Sequence, residues 1–253
     1  MNLGQLDGLV WLVICLAPFL LVQRWLHREI QAVFLLITRR TELTVGLFSL
    51  LFFPGVLLHE ASHFLMAQLL RVPTGRFSVL PQVQPGGELQ LGFVETAKTD
   101  FLRDAIIGMA PLLSGGAAIA YLGISRLGLA SLLPLVTHGQ WMSFWQALVQ
   151  LPNLPDFWVW FFLAFTISST MLPSASDRRA WLPVALVLAA LAGIAILAGA
   201  GPWMVSNLEP WMNQLMLTLA TIFGISLVLH LFLAVPTGLL AHALSRVMRL
   251  KVV

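Results

Sequence analysis

Charge is what this sequence lacks most. Asp, Glu, Lys and Arg make up only 10% of its 253 residues, where soluble chains carry about a quarter. That shortage excludes a solvated globular domain of this length. A net charge of +3, with the basic residues at segment ends, also excludes a nucleic-acid-binding patch. Cysteine occurs once, at Cys15 in the first apolar stretch, so there is no disulfide framework. The N-terminus lacks the basic start and small-residue cleavage site of a signal peptide, and residues 9–22 therefore read as a retained span.

What is present is apolar sequence, 58% of the chain, with a mean hydropathy of +0.88. Several runs approach or exceed the ~20 residues that cross a bilayer. The expected fold is an all-α polytopic membrane protein in contact with the lipid bilayer, one membrane domain over 1–253. About six transmembrane helices are expected, at 9–22, 43–70, 101–122, 157–172, 181–200 and 215–243. Residues 32–38 are too short to span and read as an interfacial helix. Residues 127–153, with Trp141 and Trp145, read as an amphipathic segment lying on the membrane, and 201–212 as a loop or surface helix. Between 71 and 100 the pattern changes. Residues 77–80 and 88–93 alternate around Pro85-Gly86-Gly87, which predicts a small β-hairpin or re-entrant loop at the membrane edge. Even numbers of spans put both termini on one side. A modest excess of Lys and Arg makes that side the cytoplasmic face of a bacterial-type cytoplasmic membrane, with the site near it, although the Arg24–Arg40 cluster fits this orientation poorly.

The chemistry concentrates in the span 43–70, which holds His59-Glu60-Ala61-Ser62-His63. Residues four apart share one helix face, so the imidazoles of His59 and His63 can meet at one metal ion. Glu60 follows His59 by about 100° of rotation, near enough to polarise a water on that metal. Pro54-Gly55, one turn earlier, predicts a kink. Ionisable groups are expensive inside a bilayer, and three within five residues point to a functional site. Hydrogen-bonded histidines inside a bundle are the bland alternative.

Catalytic zinc sites take three protein ligands and leave a fourth position for water. Asp177 is the candidate third ligand: it follows the Pro173-Ser174 break and is one of two carboxylates between Phe157 and Met212. It can equally cap a helix starting at Arg178 or pair with Arg178 or Arg179. Glu88, Glu95, Asp104 and His230 compete for the ligand role. His230 also reads as a buried residue bonded to backbone freed by Pro236.

In their order along the chain these residues resemble the site-2 protease family of intramembrane zinc metalloproteases. The likeness covers roughly 45–200. It rests on the HExxH pattern at 59–63, on Ala110-Pro111-Leu112-Leu113-Ser114 where the family has Gly-Pro-x-x-Asn, and on Asp177 where the family has Leu-Asp-Gly. The resemblance implies Zn2+ held by His59, His63 and Asp177, with Glu60 as general base. Ser114 would take the substrate-contacting role of the family's Asn. A catalytic core over about 43–200 follows, with helices 1–40 and 213–253 peripheral. The implied substrate is a membrane-anchored protein or peptide. Its scissile segment must unwind and find backbone partners in lipid. An exposed hairpin edge at Phe77, Val79, Leu89, Leu91 and Phe93 would supply them by strand addition. The rival expectation is a non-catalytic membrane protein of this fold that binds a metal or a partner.

Overall fold

A computed structural model describes residues 7–83, 89–132, 135 and 138–248. Among them, four helical stretches are long and apolar enough to cross a membrane: Asp7–Thr38, Thr41–Leu69, Phe101–Arg126 and Trp181–Met248. This is consistent with an all-α integral membrane protein. The count is four, not six, and the reasons are local.

Helix α1 (Asp7–Thr38) runs straight through the charges at Arg24–Glu29 and absorbs the segment expected to lie at the interface. Its buried residues Phe19, Gln23, Leu26, Ile30, Val33 and Leu36 keep a helical spacing of three and four. Helix α2 (Thr41–Leu69) follows and continues through Pro54. A Cβ at Gly55 would collide with the Thr166 carbonyl, so that glycine admits a close approach between helices.

The hairpin follows α2. Strand β1 (Thr74–Ser78) pairs antiparallel with β4 (Phe93–Thr96), and β2 (Gln82–Val83) with β3 (Leu89–Gln90). The Pro85-Gly86-Gly87 turn lies outside the described residues, as do Glu88, Pro134, Arg249 and Lys251. Helix α3 (Phe101–Tyr121) is capped by Asp100, whose Oδ1 accepts from the N–H groups of Leu102 at 3.2 Å and Arg103 at 3.0 Å. It runs on through a π-helical turn, Leu122–Arg126.

Helix α4 (Trp141–Gln150) buries none of its residues and leaves Trp141, Met142, Trp145 and Val149 exposed, as an amphipathic surface segment does. Helix α5 (Phe157–Thr170) has 14 residues. At ~1.5 Å per residue it covers about 21 Å, short of the ~30 Å hydrocarbon core. Helices α6 (Trp181–Ala195) and α7 (Gly201–Met248) form one helical run bent at Gly199, whose φ of 89° needs a residue without Cβ. Residues 201–212, expected as a loop or surface helix, are helical, and the break falls earlier, at Gly199. Pro202 then sits in the first turn of α7, where its missing N–H would have no partner anyway.

The helices at the two ends of the chain pack side by side and parallel. Gly8 N–H donates to Asn213 at 2.7 Å, Phe19 stacks on Phe223, and Trp25 lies against Gly238. Apolar side chains of α1, α2 and α5 (Leu26, Ile30, Phe48, Phe52, Val56 and Phe165) fill the layer next to the HExxH turn.

Candidate metal centre

Each histidine of α2 is held by a backbone carbonyl from a different helix. His59 Nδ1 lies 2.6 Å from the carbonyl oxygen of Thr170, the last residue of α5, and His63 Nδ1 lies 2.9 Å from that of Ile107 in α3. A carbonyl only accepts, so both Nδ1 atoms carry the proton and donate it. Both Nε2 lone pairs then face inward, 3.2 Å apart.

Asp177 closes the set. Its carboxylate oxygens lie 3.3 Å from His63 Nε2 and 3.7 Å from His59 Nε2. It caps no helix: α6 begins four residues later, and Arg179 is engaged with Asp104 through two bonds of 2.7 Å. Two contacts fix the loop that carries it. Ser174 N–H donates to Asp177 Oδ2 at 2.7 Å, and the Asp177 carbonyl rests on Gly108 of α3, where a Cβ would collide with it. Burial alone would push the Asp177 carboxyl up. With no metal bound and the imidazoles protonated on Nε2 as well, hydrogen bonds from His59 and His63, the charge of His63 and the Ser174 N–H outweigh it and hold the group well below the usual carboxylate range.

The donor set fits a metal ion. Two imidazole lone pairs and a carboxylate converge, all within 4.8 Å of one another, and could hold one metal ion. Ligands about 2.0–2.1 Å from a tetrahedral metal stand about 3.4 Å apart. The observed separations of 3.2, 3.3 and 3.7 Å bracket that edge. The side chains are 8–15% exposed, so a small ligand can still enter.

Glu60 is buried and lines the same cleft of about 700 Å³. The backbone of Gly92 lies across it: a Cβ there would stand 2.8 Å from Glu60 Cγ and 3.0 Å from Oε1. Leu91, Phe93 and Val94 continue that wall. Of the expected substrate set, Ser114, Phe77 and Val79 are placed elsewhere. Ser114 bonds Ser62 Oγ at 2.5 Å between α2 and α3 and does not line the cleft. Phe77 packs on Phe64, and Val79 packs against the core layer of α1, α2 and α5. Leu89 lies in β3, paired with Val83. Among the competing ligands, Glu95 pairs with Arg76 at 2.8 Å and Asp104 with Arg179, away from the two imidazoles.

A buried polar chain beneath the centre has no motif to announce it. Gln23 Nε2 donates to the Ser169 carbonyl at 2.6 Å, and His230 Nδ1 donates to the Ser226 carbonyl at 2.8 Å. His230 Nε2 therefore accepts from Ser169 Oγ, 2.9 Å away. The carbonyl that Pro236 frees is that of Phe232, so the expected reason for His230 is replaced by this chain. Ser169 and Thr170 end α5, where carbonyls have no helical partner. Gln23 satisfies one and His59 the other. The sequence signal was the presence of Gln23 and His230 on otherwise apolar helix faces. Comparison with known protein families, characterised proteins and solved structures finds no match.

Proposed function

We propose that the chain is an intramembrane zinc metalloprotease resembling the site-2 protease family, hydrolysing peptide bonds of membrane-embedded substrates. The observation that carries this reading is the convergence of His59, His63 and Asp177 in one cleft with Glu60, with the two histidines and the glutamate inside a helix apolar enough to span a bilayer. A structural metal site needs no buried acid beside its ligands, and an acid there suits general base work.

In this reading His59, His63 and Asp177 hold the ion. Zinc, when bound, supplies an acidified water and a Lewis acid for the substrate carbonyl. Glu60 takes a proton from the nucleophilic water and returns it to the leaving amine. The backbone of Gly92 keeps the Glu60 side chain turned toward the cleft. The strand edge at 90–94 lines one wall and suits an extended segment whose freed backbone groups need partners. The polar rim at Asp104, Ser176 and Arg179 gives water a route to a site otherwise walled by apolar helices.

The test uses detergent-purified protein, zinc and a panel of single-span substrates. Wild type is expected to cut at least one of them. Glu60→Gln is expected to bind zinc with equal stoichiometry and to cut none. Cleavage by both, or by neither while zinc binds, refutes the protease reading. Asp177→Ala is expected to lower zinc content, and unchanged content removes Asp177 from the site.

A further inference from the structure

Helix α3 contains Pro111, fully buried and four residues after Ile107. A proline has no N–H, so it cannot bond the carbonyl four residues before it, and its ring pushes that carbonyl off the helix axis. In a bilayer such a freed carbonyl needs another donor. Here the freed carbonyl is that of Ile107, and the donor is His63 Nδ1 at 2.9 Å. The other imidazole is held in the same way by an orphan carbonyl, that of Thr170 at the end of α5, at 2.6 Å.

We infer that Pro111 is a positioning residue of the metal centre: by denying Ile107 its helical partner, it keeps a carbonyl free to orient His63. It touches neither metal nor substrate. The bond it releases fixes His63 as the Nδ1–H tautomer and turns Nε2 toward His59 and Asp177. A residue with an N–H at 111 would reclaim the Ile107 carbonyl for α3 and straighten the helix there. His63 would then lose its orienting partner, although the residue itself is unchanged. The inference rests on the metal-binding part of the proposed function and is independent of proteolysis.

The two demands on position 111 have opposite signs, which gives the test its power. A proline inside a helix is unfavourable, so Pro111→Ala is expected to leave unfolding of the metal-free protein unchanged or to raise its midpoint. The same variant is expected to weaken zinc binding about 10-fold, the low end of the range for groups that orient metal-bound histidines. Zinc affinity is measured on the full chain in detergent by competition with a chromophoric chelator, and the visible spectrum of the cobalt-substituted protein reports ligand geometry. Pro111→Val also restores the N–H but nearly keeps the volume. It is expected to match Pro111→Ala, which separates the hydrogen bond from a packing defect, and it carries the test should the alanine variant fail to fold. Wild-type zinc affinity and an unchanged cobalt spectrum in either folded variant overturn the inference. Affinity lost only in Pro111→Ala assigns the effect to the cavity and overturns it too. Absence of zinc binding by the wild type would instead sink the metal reading on which the inference stands.

Discussion

Gly108 is where the loop bearing Asp177 lands on α3, and Gly108→Ala tests that contact. The added Cβ would collide with the Asp177 carbonyl oxygen. Nonbonded heavy atoms settle at about 3.5 Å, so the Asp177 backbone must retreat by about 1.5 Å. Metal–ligand distances tolerate about 0.2 Å. The carboxylate therefore leaves the donor set, and two imidazoles remain. Disturbing a group that merely orients a ligand weakens binding about 10- to 100-fold, and losing the ligand exceeds that. Zinc affinity is expected to fall at least about 100-fold, as in Asp177→Ala, while Glu60 and both histidines stay in place. Gly46→Ala is the control. It makes the same change on α2 where no atom lies within 4 Å of the new Cβ. Chelator competition on the purified full-length protein reads the result. Zinc binding by Gly108→Ala within about threefold of wild type would refute the idea that α3 positions the aspartate.

Three further outcomes are expected. Gly92→Ala drives a Cβ into Glu60 Cγ at 2.8 Å; turnover of a cleaved substrate should drop at least about 10-fold with zinc content unchanged, as for a mispositioned base, and parallel loss of zinc would contradict this. Arg179→Gln breaks the bidentate pair with Asp104. Because the Arg179 side chain is 61% exposed, thermal stability should change little, by under about 1 kcal/mol, and zinc content should hold; a large stability loss would show the pair matters to the fold. Ser169→Ala leaves His230 Nε2 without its donor in a fully buried setting. The expected penalty is about 1–3 kcal/mol, read as a lowered unfolding midpoint, and an unchanged midpoint would exclude the chain as a stabilising element.

The HExxH turn was legible because helix geometry turns a spacing of four into one shared face. Asp177 was legible in part. Scarcity of carboxylates and a break before it singled it out, whereas its release from capping depended on where α6 begins. The partners that aim the imidazoles are the carbonyls of Ile107 and Thr170, and a carbonyl has no letter of its own. Pro111 did mark the first as free, but no pattern said which donor would take it. The span count fell from six to four because α5 has only 14 residues and because the stretches at 181–200 and 215–243 join in one helical run. Reading charge as a segment end only cut the first span short. At Arg24 and Arg28 the charges occupy the outer face of α1, while Gln23, Leu26 and Ile30 continue the buried stripe. The hairpin was read from alternation around the Pro85-Gly86-Gly87 turn signal. Which of its residues face the cleft depends on how β4 lies over α2, and that set Leu91 and Phe93 apart from Phe77 and Val79.

The two imidazole–carbonyl bonds join α2 to α3 and α5 at points four residues apart on one helix. A slip of α2 by a single residue would turn both rings by about 100° and shift them about 1.5 Å, breaking both bonds at once. The centre is thus also a register pin for three helices. Any motion that opens a path for a substrate must leave α2, α3 and the end of α5 as one unit, and must be borne by the hairpin, the α6–α7 arm beyond Gly199, or the α1–α7 pair.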